Sequence, residues 1–330
     1  MDQKLLEKIA DLYNLHGVEF QHKVEEGFLT HNYILSQNKV RYFLKQYSRK
    51  TNEARVKEIH DVILFFNEKK IPVILPLKNK TPENFFGFKG IQYALFPFVN
   101  ELKIKRNDLS NTALKNMGEM LAKIHLQSKA QFPRVKERQD KFSNIKFFIK
   151  LAAVLPFIEG DKDKSIFGKL AYQDAMLKKR IIENNMETIK NIKPFRDHLI
   201  HGDYHNGNIF FDQKDNIVNV FDFDKTEIAS RVFELIRSMY YMCFEGVFEN
   251  ENFEKAKIYL SAYNNLYPIS RSEIRKGVIG YFFNKAQSLW IETYHYIDKN
   301  TRVDHFLDYE VKTLVYLEHN LEDFIEKLTN

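Results

Sequence analysis

The stretch LIHGDYHNGNIFFDQKDNIVNVFDFD, Leu199 to Asp224, constrains this chain more than any other. Two apolar runs, Asn208 to Phe211 and Ile217 to Phe221, flank a polar turn, Asp212 to Asn216. Apolar alternation about a turn predicts a β-hairpin. Polar and ionisable side chains crowd its ends: His201, Asp203, His205, Asn206 and Asn208 before the first run, Asp222 and Asp224 after the second. Groups of this kind at the end of a rigid hairpin cost free energy unless they bind or react with something. Asp and His do cap turns, but this turn-and-hairpin unit holds more of them than capping requires.

Their spacing is specific. Asp203 and Asn208 keep the D-x-x-x-x-N interval of the protein-kinase catalytic loop, and Asp222-Phe223 keeps the start of its D-F-G element. HGDYHNGN followed by FDFD resembles the aminoglycoside phosphotransferase and choline kinase family, a branch of the kinase-like fold that mostly phosphorylates small molecules. The chemistry agrees with the resemblance. The Asn208 amide and the Asp222 carboxylate are oxygen donors suited to Mg²⁺, which keeps water and phosphate oxygens as its other ligands. Asp203 is then free to orient a substrate hydroxyl and accept its proton.

Two other readings use the same residues. FDFDKT, Phe221 to Thr226, spells the hhDxDxT nucleophile motif of haloacid-dehalogenase-type phosphatases, with Asp222 as nucleophile and Asp224 as acid. That fold places its motif early, whereas here it begins at position 222 of 330 and the rest of the chain reads as helical. HGDYH could ligate a dinuclear metal centre, but no further His or Cys pair completes one.

Composition narrows the class. Apolar residues make up 44% and charged residues 28%, as in a soluble globular protein. Cys243 is the single cysteine, so no internal disulfide forms. With the charged, amphipathic start MDQKLLEKIADLY, this predicts a cytoplasmic location. The net charge of +6 is mild, with Lys and Glu interspersed, so no nucleic-acid partner is expected. No apolar run reaches membrane-spanning length, so no membrane partner is expected either.

Leu5, Ile9, Leu12 and Tyr13 predict a first helix within Met1 to Leu15. Val18 to Val24, Asn32 to Ser36 and Val40 to Tyr47 predict a three-strand meander. By resemblance, the loop Glu25 to Thr30 would cover nucleotide phosphates, with Gly27 and Asn32 at positions where relatives carry Gly and Asn. The full G-x-G-x-x-G and any GxxxxGK[ST] loop are absent. Lys45 falls on the third strand, where kinases place the lysine that pairs with the α- and β-phosphates. The helix Asn52 to Lys69 offers Glu53 and Glu58, of which Glu58 is the preferred brace for Lys45. Ile71 to Leu77 and Gly90 to Val99 read as further strands. IQYALFPFVNE resembles the family strand that enters the hinge, which implies adenine held by the Pro97 carbonyl and the Val99 amide.

After Asn100 the pattern turns helical, which puts a nucleotide-binding lobe at 1–99 and a catalytic and acceptor-binding lobe at 100–330. Ser110 to Gln127 predicts a helix capped by Asp108 or Ser110. Its MGEMLAKIH resembles a family helix in which His125 reads as a core histidine. Residues 129–196 form a Lys-rich helical insert, with breaks expected at Pro156 and at Gly160-Asp161. In RVFELIRSMYYMCF, Glu234 stands where relatives carry Asp. The last third interleaves Trp290, Tyr294 and Tyr296 with Glu292, Asp298, Asp304 and Asp308. It reads as an aromatic core stripe with solvated acids, the alternative being a pocket for a cationic acceptor.

The resemblance therefore implies a two-lobed, protein kinase-like α+β enzyme. It would transfer the γ-phosphoryl of ATP or GTP, with Mg²⁺, to a hydroxyl of a small molecule. Amino sugars, aminoglycosides, choline or ethanolamine and homoserine are the acceptor types in view. Asp203 would be the base, Asn208 and Asp222 the metal ligands, and Lys45, braced by Glu58, the phosphate clamp. His205 would neutralise the γ-phosphate or order the loop, and His201 would anchor it. A Ser/Thr protein kinase and a nucleotide-binding module without catalysis are the alternatives; no A-P-E element follows Asp222, which favours small acceptors.

Overall fold

Alternating apolar residues in the first hundred positions pair into one antiparallel sheet, and helical periodicity dominates thereafter. The computed structural model describes residues 2–24, 31–129, 132–135, 142–192 and 198–329. Helix α1 (Gln3–Tyr13) precedes strands β1 (Glu19–Lys23), β2 (Tyr33–Gln37) and β3 (Val40–Gln46). Asn38 and Lys39 both take positive φ, 48° and 68°, which matches the right-handed twist of the β2–β3 hairpin. The loop expected over the phosphates, with Gly27, lies outside the described residues.

Helix α2 (Glu53–Glu68) starts where the Asn52 side chain accepts from the Arg55 amide at 2.9 Å. Strands β4 (Phe86–Phe88) and β5 (Ile91–Pro97) complete a sheet of order β1-β2-β3-β5-β4. Alternation along the strands fixes which face each residue serves. Leu35, Leu44 and Leu95 pack with Leu5 and Ile9 of α1. Ala94, Phe96 and Tyr47 join the core that α2 shares with the rest of the molecule. Lys45, next to Leu44, thus points away from α1.

One expectation fails in this half, and one strand was not foreseen. Ile71 to Leu77 is not a strand, because Pro72 and Pro76 lack the N–H groups a ladder needs. The segment makes single connections instead: Val220 N–H donates to the Pro72 carbonyl at 2.7 Å, and Leu77 N–H to the Leu95 carbonyl at 2.8 Å. The short β4, centred on Gly87, gave no alternation long enough to read in the sequence.

The second half is helical. Helix α3 (Asn111–Gln127) begins with Ser110 as its cap, not Asp108. The insert holds α4 (Asn144–Asp161), α5 (Ile166–Asn184) and α6 (Met186–Asn191). Helix α4 continues through Pro156, contrary to expectation, and ends at Asp161, at the break expected around Gly160-Asp161. The buried row Phe147, Leu151, Val154 and Ile158 runs on both sides of the proline, and that packing offsets the lost hydrogen bond. Strand β6 (His198–Ile200) leads to the hairpin β7 (Ile209–Phe211) and β8 (Ile217–Val220), in register Ile209↔Val220, and β9 (Glu227–Ala229) pairs back with β6. Helices α7 (Arg231–Cys243), α8 (Asn250–Leu266), α9 (Arg271–Ala286), α10 (Trp290–Tyr296) and α11 (Leu307–Thr329) follow. Gly118 lets α3 approach α8 closely, since a Cβ there would collide with the Tyr259 carbonyl. Among the described residues, no helix is long and apolar enough to cross a membrane.

Candidate active site

The loop between β6 and β7 carries the polar residues of the hairpin, and the interior below holds it in place. Glu234 of α7 accepts from the main-chain N–H groups of His201, at 3.0 Å, and of Gly202. The longer side chain at this position therefore makes its contacts to the loop. Glu234 also pairs with His125 at 3.0 Å, and the other His125 nitrogen meets the Tyr263 hydroxyl at 2.8 Å. His125 is a satisfied core histidine, as its sequence context suggested. His201 donates from Nε2 to the Phe221 carbonyl at 2.9 Å and accepts from the Asp203 amide at 3.2 Å. Burial keeps its ring neutral, which suits that tautomer. Tyr204 and Asn206 fasten the loop to the Met117 and Ile104 carbonyls at 3.0 and 2.9 Å.

Asp203 is gripped on both oxygens. Arg237 reaches Oδ1 at 2.6 Å and Lys225 reaches Oδ2 at 2.8 Å. Burial raises the Asp203 pKa, but the charges of Arg237 and Lys225 outweigh it and hold the carboxyl well below the usual range. Asn208 donates Nδ2 to the Asp203 carbonyl at 2.9 Å, and its own carbonyl accepts from Phe221 N–H at 2.9 Å. His205 accepts from the Gly207 amide at 3.1 Å. Burial brings its pKa down to about 4, so its ring is neutral at pH 7.

Across the hairpin, Asp222 takes a left-handed conformation with φ 67°. Phe223 is buried between the Phe66 ring of α2 (5.5 Å) and the His201 ring (4.4 Å). Lys45 lies 2.8 Å from Asp222 Oδ1 and 2.7 Å from Asp224 Oδ1, the latter without hydrogen-bond alignment. Burial favours a neutral lysine, yet the two carboxylates keep its ammonium charged. Burial pushes the Asp224 pKa up to about 6. Asn32 accepts from the Gln46 amide at 3.2 Å, beside Lys45.

Glu58 does not brace Lys45 here. Its carboxylate is bound by Arg55 at 3.0 Å, one helical turn away, while the nearer Asp222 and Asp224 take the lysine. Arg55 also donates to the Asp224 and Thr226 carbonyls at 3.1 and 2.5 Å, tying α2 to the segment after the hairpin. Pro97 closes β5 opposite Tyr42, and Val99 follows, partly buried against the core.

Sequence reasoning missed Arg237, Lys225 and Arg55. Arg237 lies one turn after Glu234 on α7, a spacing that could have revealed it. Lys225 follows FDFD directly, whereas Arg55 has no local signal. The acids of the last third are not solvated as a group. Glu292 and Asp174 enclose Lys178 at 3.2 and 2.5 Å, Glu310 pairs with Lys285, and Asp304 meets His295 at 2.9 Å. Asp298 and Asp308, by contrast, are exposed, as expected of solvated acids. A cavity of about 140 Å³ lies beside Asp203, lined by Gly202, Lys225, Glu227, Phe233, Arg237 and Asn284. Among the described residues, no group of three or more His, Cys, Asp or Glu could hold a metal ion, which removes the dinuclear reading.

The sequence model described as the phosphotransferase enzyme family matches residues 21–266. A spectinomycin phosphotransferase, solved with ADP and spectinomycin, superposes with a TM-score of 0.65 at 17% identity, over 94% of this chain and 98% of that one. An aminoglycoside phosphotransferase from Alicyclobacillus acidocaldarius superposes at 0.62 with 13% identity, over 96% and 94%. Choline kinase from Streptococcus pneumoniae superposes at 0.58 with 13% identity, over 95% and 98%. No curated protein sequence matches. The shared fold is the two-lobed, kinase-like α+β architecture, in which FDFDKT follows the β7–β8 hairpin and is not an early phosphatase motif.

Proposed function

As this chain belongs to the phosphotransferase enzyme family, we propose that it moves the γ-phosphoryl group of ATP or GTP to a hydroxyl of a small molecule. One observation carries the reading. The loop with Asp203 and Asn208 is bonded to Phe221, which links β8 to Asp222, and Asp222 holds the lysine of β3 at 2.8 Å. Base, amide, carboxylate and phosphate-binding cation thus meet where the two lobes join. We place that junction at residues 99 and 100.

Asp203 orients the acceptor hydroxyl and receives its proton, and it is ionised at neutral pH for that task. Arg237 holds it in place. The Asn208 amide oxygen and the Asp222 carboxylate would hold Mg²⁺. Both are hard oxygen donors, and Asp222 already attracts one cation, Lys45. The metal would supply charge neutralisation at the phosphate oxygens. Lys45 binds the α- and β-phosphates, positioned by Asp222 and Asp224 in the arrangement described, with Glu58 held aside by Arg55. The Pro97 carbonyl and the Val99 amide hold the adenine or guanine edge. His205, neutral and bonded to Gly207, orders the loop. Most of the rate enhancement then comes from positioning and charge stabilisation.

A screen of amino sugars, aminoglycosides, choline, ethanolamine and homoserine, read by ADP and GDP release, tests the reaction and names the acceptor. Asp203→Ala should lower turnover at least about a thousandfold while nucleotide affinity stays within about threefold. Unchanged turnover in that variant would remove Asp203 as the base. Nucleotide binding with no turnover on any hydroxyl compound would favour a binding module.

A further inference from the structure

Both oxygens of Asp203 bind a cation, which lowers the carboxylate's affinity for a proton from an acceptor. The two cations that occupy them differ in how firmly they are held. Arg237 has an 18% exposed side chain, donates a second bond to the Gly202 carbonyl at 3.3 Å and lies over the Tyr241 ring at 4.8 Å. Its planar fork is fixed by three contacts. Lys225 is 44% exposed, and Asp203 is its one ion pair among the described residues. Its flexible stem springs from the short helical turn Phe223–Lys225, directly after Asp222, and it also borders the cavity beside Asp203.

The loop from His201 to Asn208 brings no Lys or Arg to the reacting centre. Two residues after Asp203, where protein kinases carry a lysine, stands His205. Its Nδ1 accepts from the Gly207 amide at 3.1 Å, and its Nε2 faces the Asn208 side-chain amide at 3.3 Å.

We propose that Lys225 is a catalytic residue with two stations, paired with Asp203 Oδ2 in the arrangement described and moving its charge to the transferring phosphoryl group when nucleotide and acceptor are bound. The inference rests on the phosphotransferase reading. The departure of Lys225 raises the basicity of Oδ2 toward the acceptor O–H, while Arg237 keeps Oδ1 and so fixes the carboxylate. In the transfer, the acceptor oxygen forms a bond to the γ-phosphorus. The bond from that phosphorus to the bridging oxygen breaks, and its electron pair stays with the nucleoside diphosphate. The acceptor proton passes to Asp203 Oδ2, and Lys225 remains protonated throughout. A charge that arrives as negative charge redistributes on the phosphoryl oxygens lowers the barrier without tightening ground-state binding.

The test compares wild type, Lys225→Met and Lys225→Arg by calorimetry with Mg²⁺ and ADP, then with ADP plus aluminium fluoride as a mimic of the transferring group. GDP is run in parallel. Turnover is measured on the acceptor found by the screen, and melting curves establish that each variant is folded. Lys225→Met should bind ADP within about threefold of wild type and lose about 100-fold in affinity for the fluoride complex. Its turnover should fall about 100- to 1,000-fold, and Lys225→Arg should recover at least about tenfold of that. A Met variant that matches wild type in mimic affinity and turnover overturns this assignment alone. Wild-type protein that binds neither nucleotide overturns the underlying reading as well.

Discussion

At Gly202 the backbone takes φ +83°, and a Cβ there would collide with the Lys225 carbonyl. That close approach brings the loop carrying Asp203 against the turn carrying Lys225, so the Lys225–Asp203 contact depends on this glycine. Gly202→Ala should cost about 3 kcal/mol in urea unfolding, from left-handed strain plus displacement of the carbonyl. Turnover should fall further than the stability loss explains, because the two charged groups would separate; full activity at reduced stability would show that their contact is dispensable. Asp222 also has positive φ, a conformation Asp tolerates better than most side-chain-bearing residues. Its side chain can then accept from the Asp224 amide at 3.4 Å while it faces Lys45.

Helices α2 and α7 each do two jobs. Helix α7 places Glu234 and Arg237 one turn apart, so one element fixes the loop backbone and the Asp203 carboxylate together. Helix α2 packs Phe66 on Phe223 and joins the sheet through His60, whose Nε2 meets the Tyr47 hydroxyl at 2.9 Å. Burial takes the His60 pKa down to about 4. The unfolded chain binds this proton below about pH 6.5, but the folded chain refuses it until about pH 4. Stability from this group is therefore complete above pH 6.5 and is lost as pH falls from 6.5 to 4, by up to about 3 kcal/mol. His60→Phe should lose less stability than wild type between pH 7 and pH 4.5, by about 1–3 kcal/mol in urea titrations. Equal losses would show that His60 does not carry the acid sensitivity.

Over the whole molecule, the lobes meet through a shared apolar core and a set of polar connections. Lys45 reaches Asp222 and Asp224, Arg55 reaches the Asp224 and Thr226 carbonyls, and Val220 N–H donates to the Pro72 carbonyl at 2.7 Å. Asp222 thus serves the lobe contact and, in the proposed reaction, the metal. Asp222→Ala should weaken Mg²⁺-nucleotide binding at least about tenfold, yet leave metal-free nucleotide binding within about threefold, because Asp224 still holds Lys45. Calorimetry with and without Mg²⁺ checks this, and equal losses in both conditions would remove Asp222 as a metal ligand.

The sequence alone determined the hairpin and its polar ends, the β2–β3 pairing, the place of Lys45 on its strand, and helices α2 and α3. Period, caps and turn residues act over a few positions, so their effect is written along the chain. Only the tertiary structure decided which carboxylate holds Lys45, because Glu58 and Asp222 are both acids and just one lies within reach once the lobes have docked. The same is true of Lys225 and Arg237, two of 50 basic residues, which become distinctive only when folding brings both to one aspartate. Ion pairing depends on distances of a few ångströms across large sequence separations, 177 residues in the case of Lys45 and Asp222, and no local pattern encodes them.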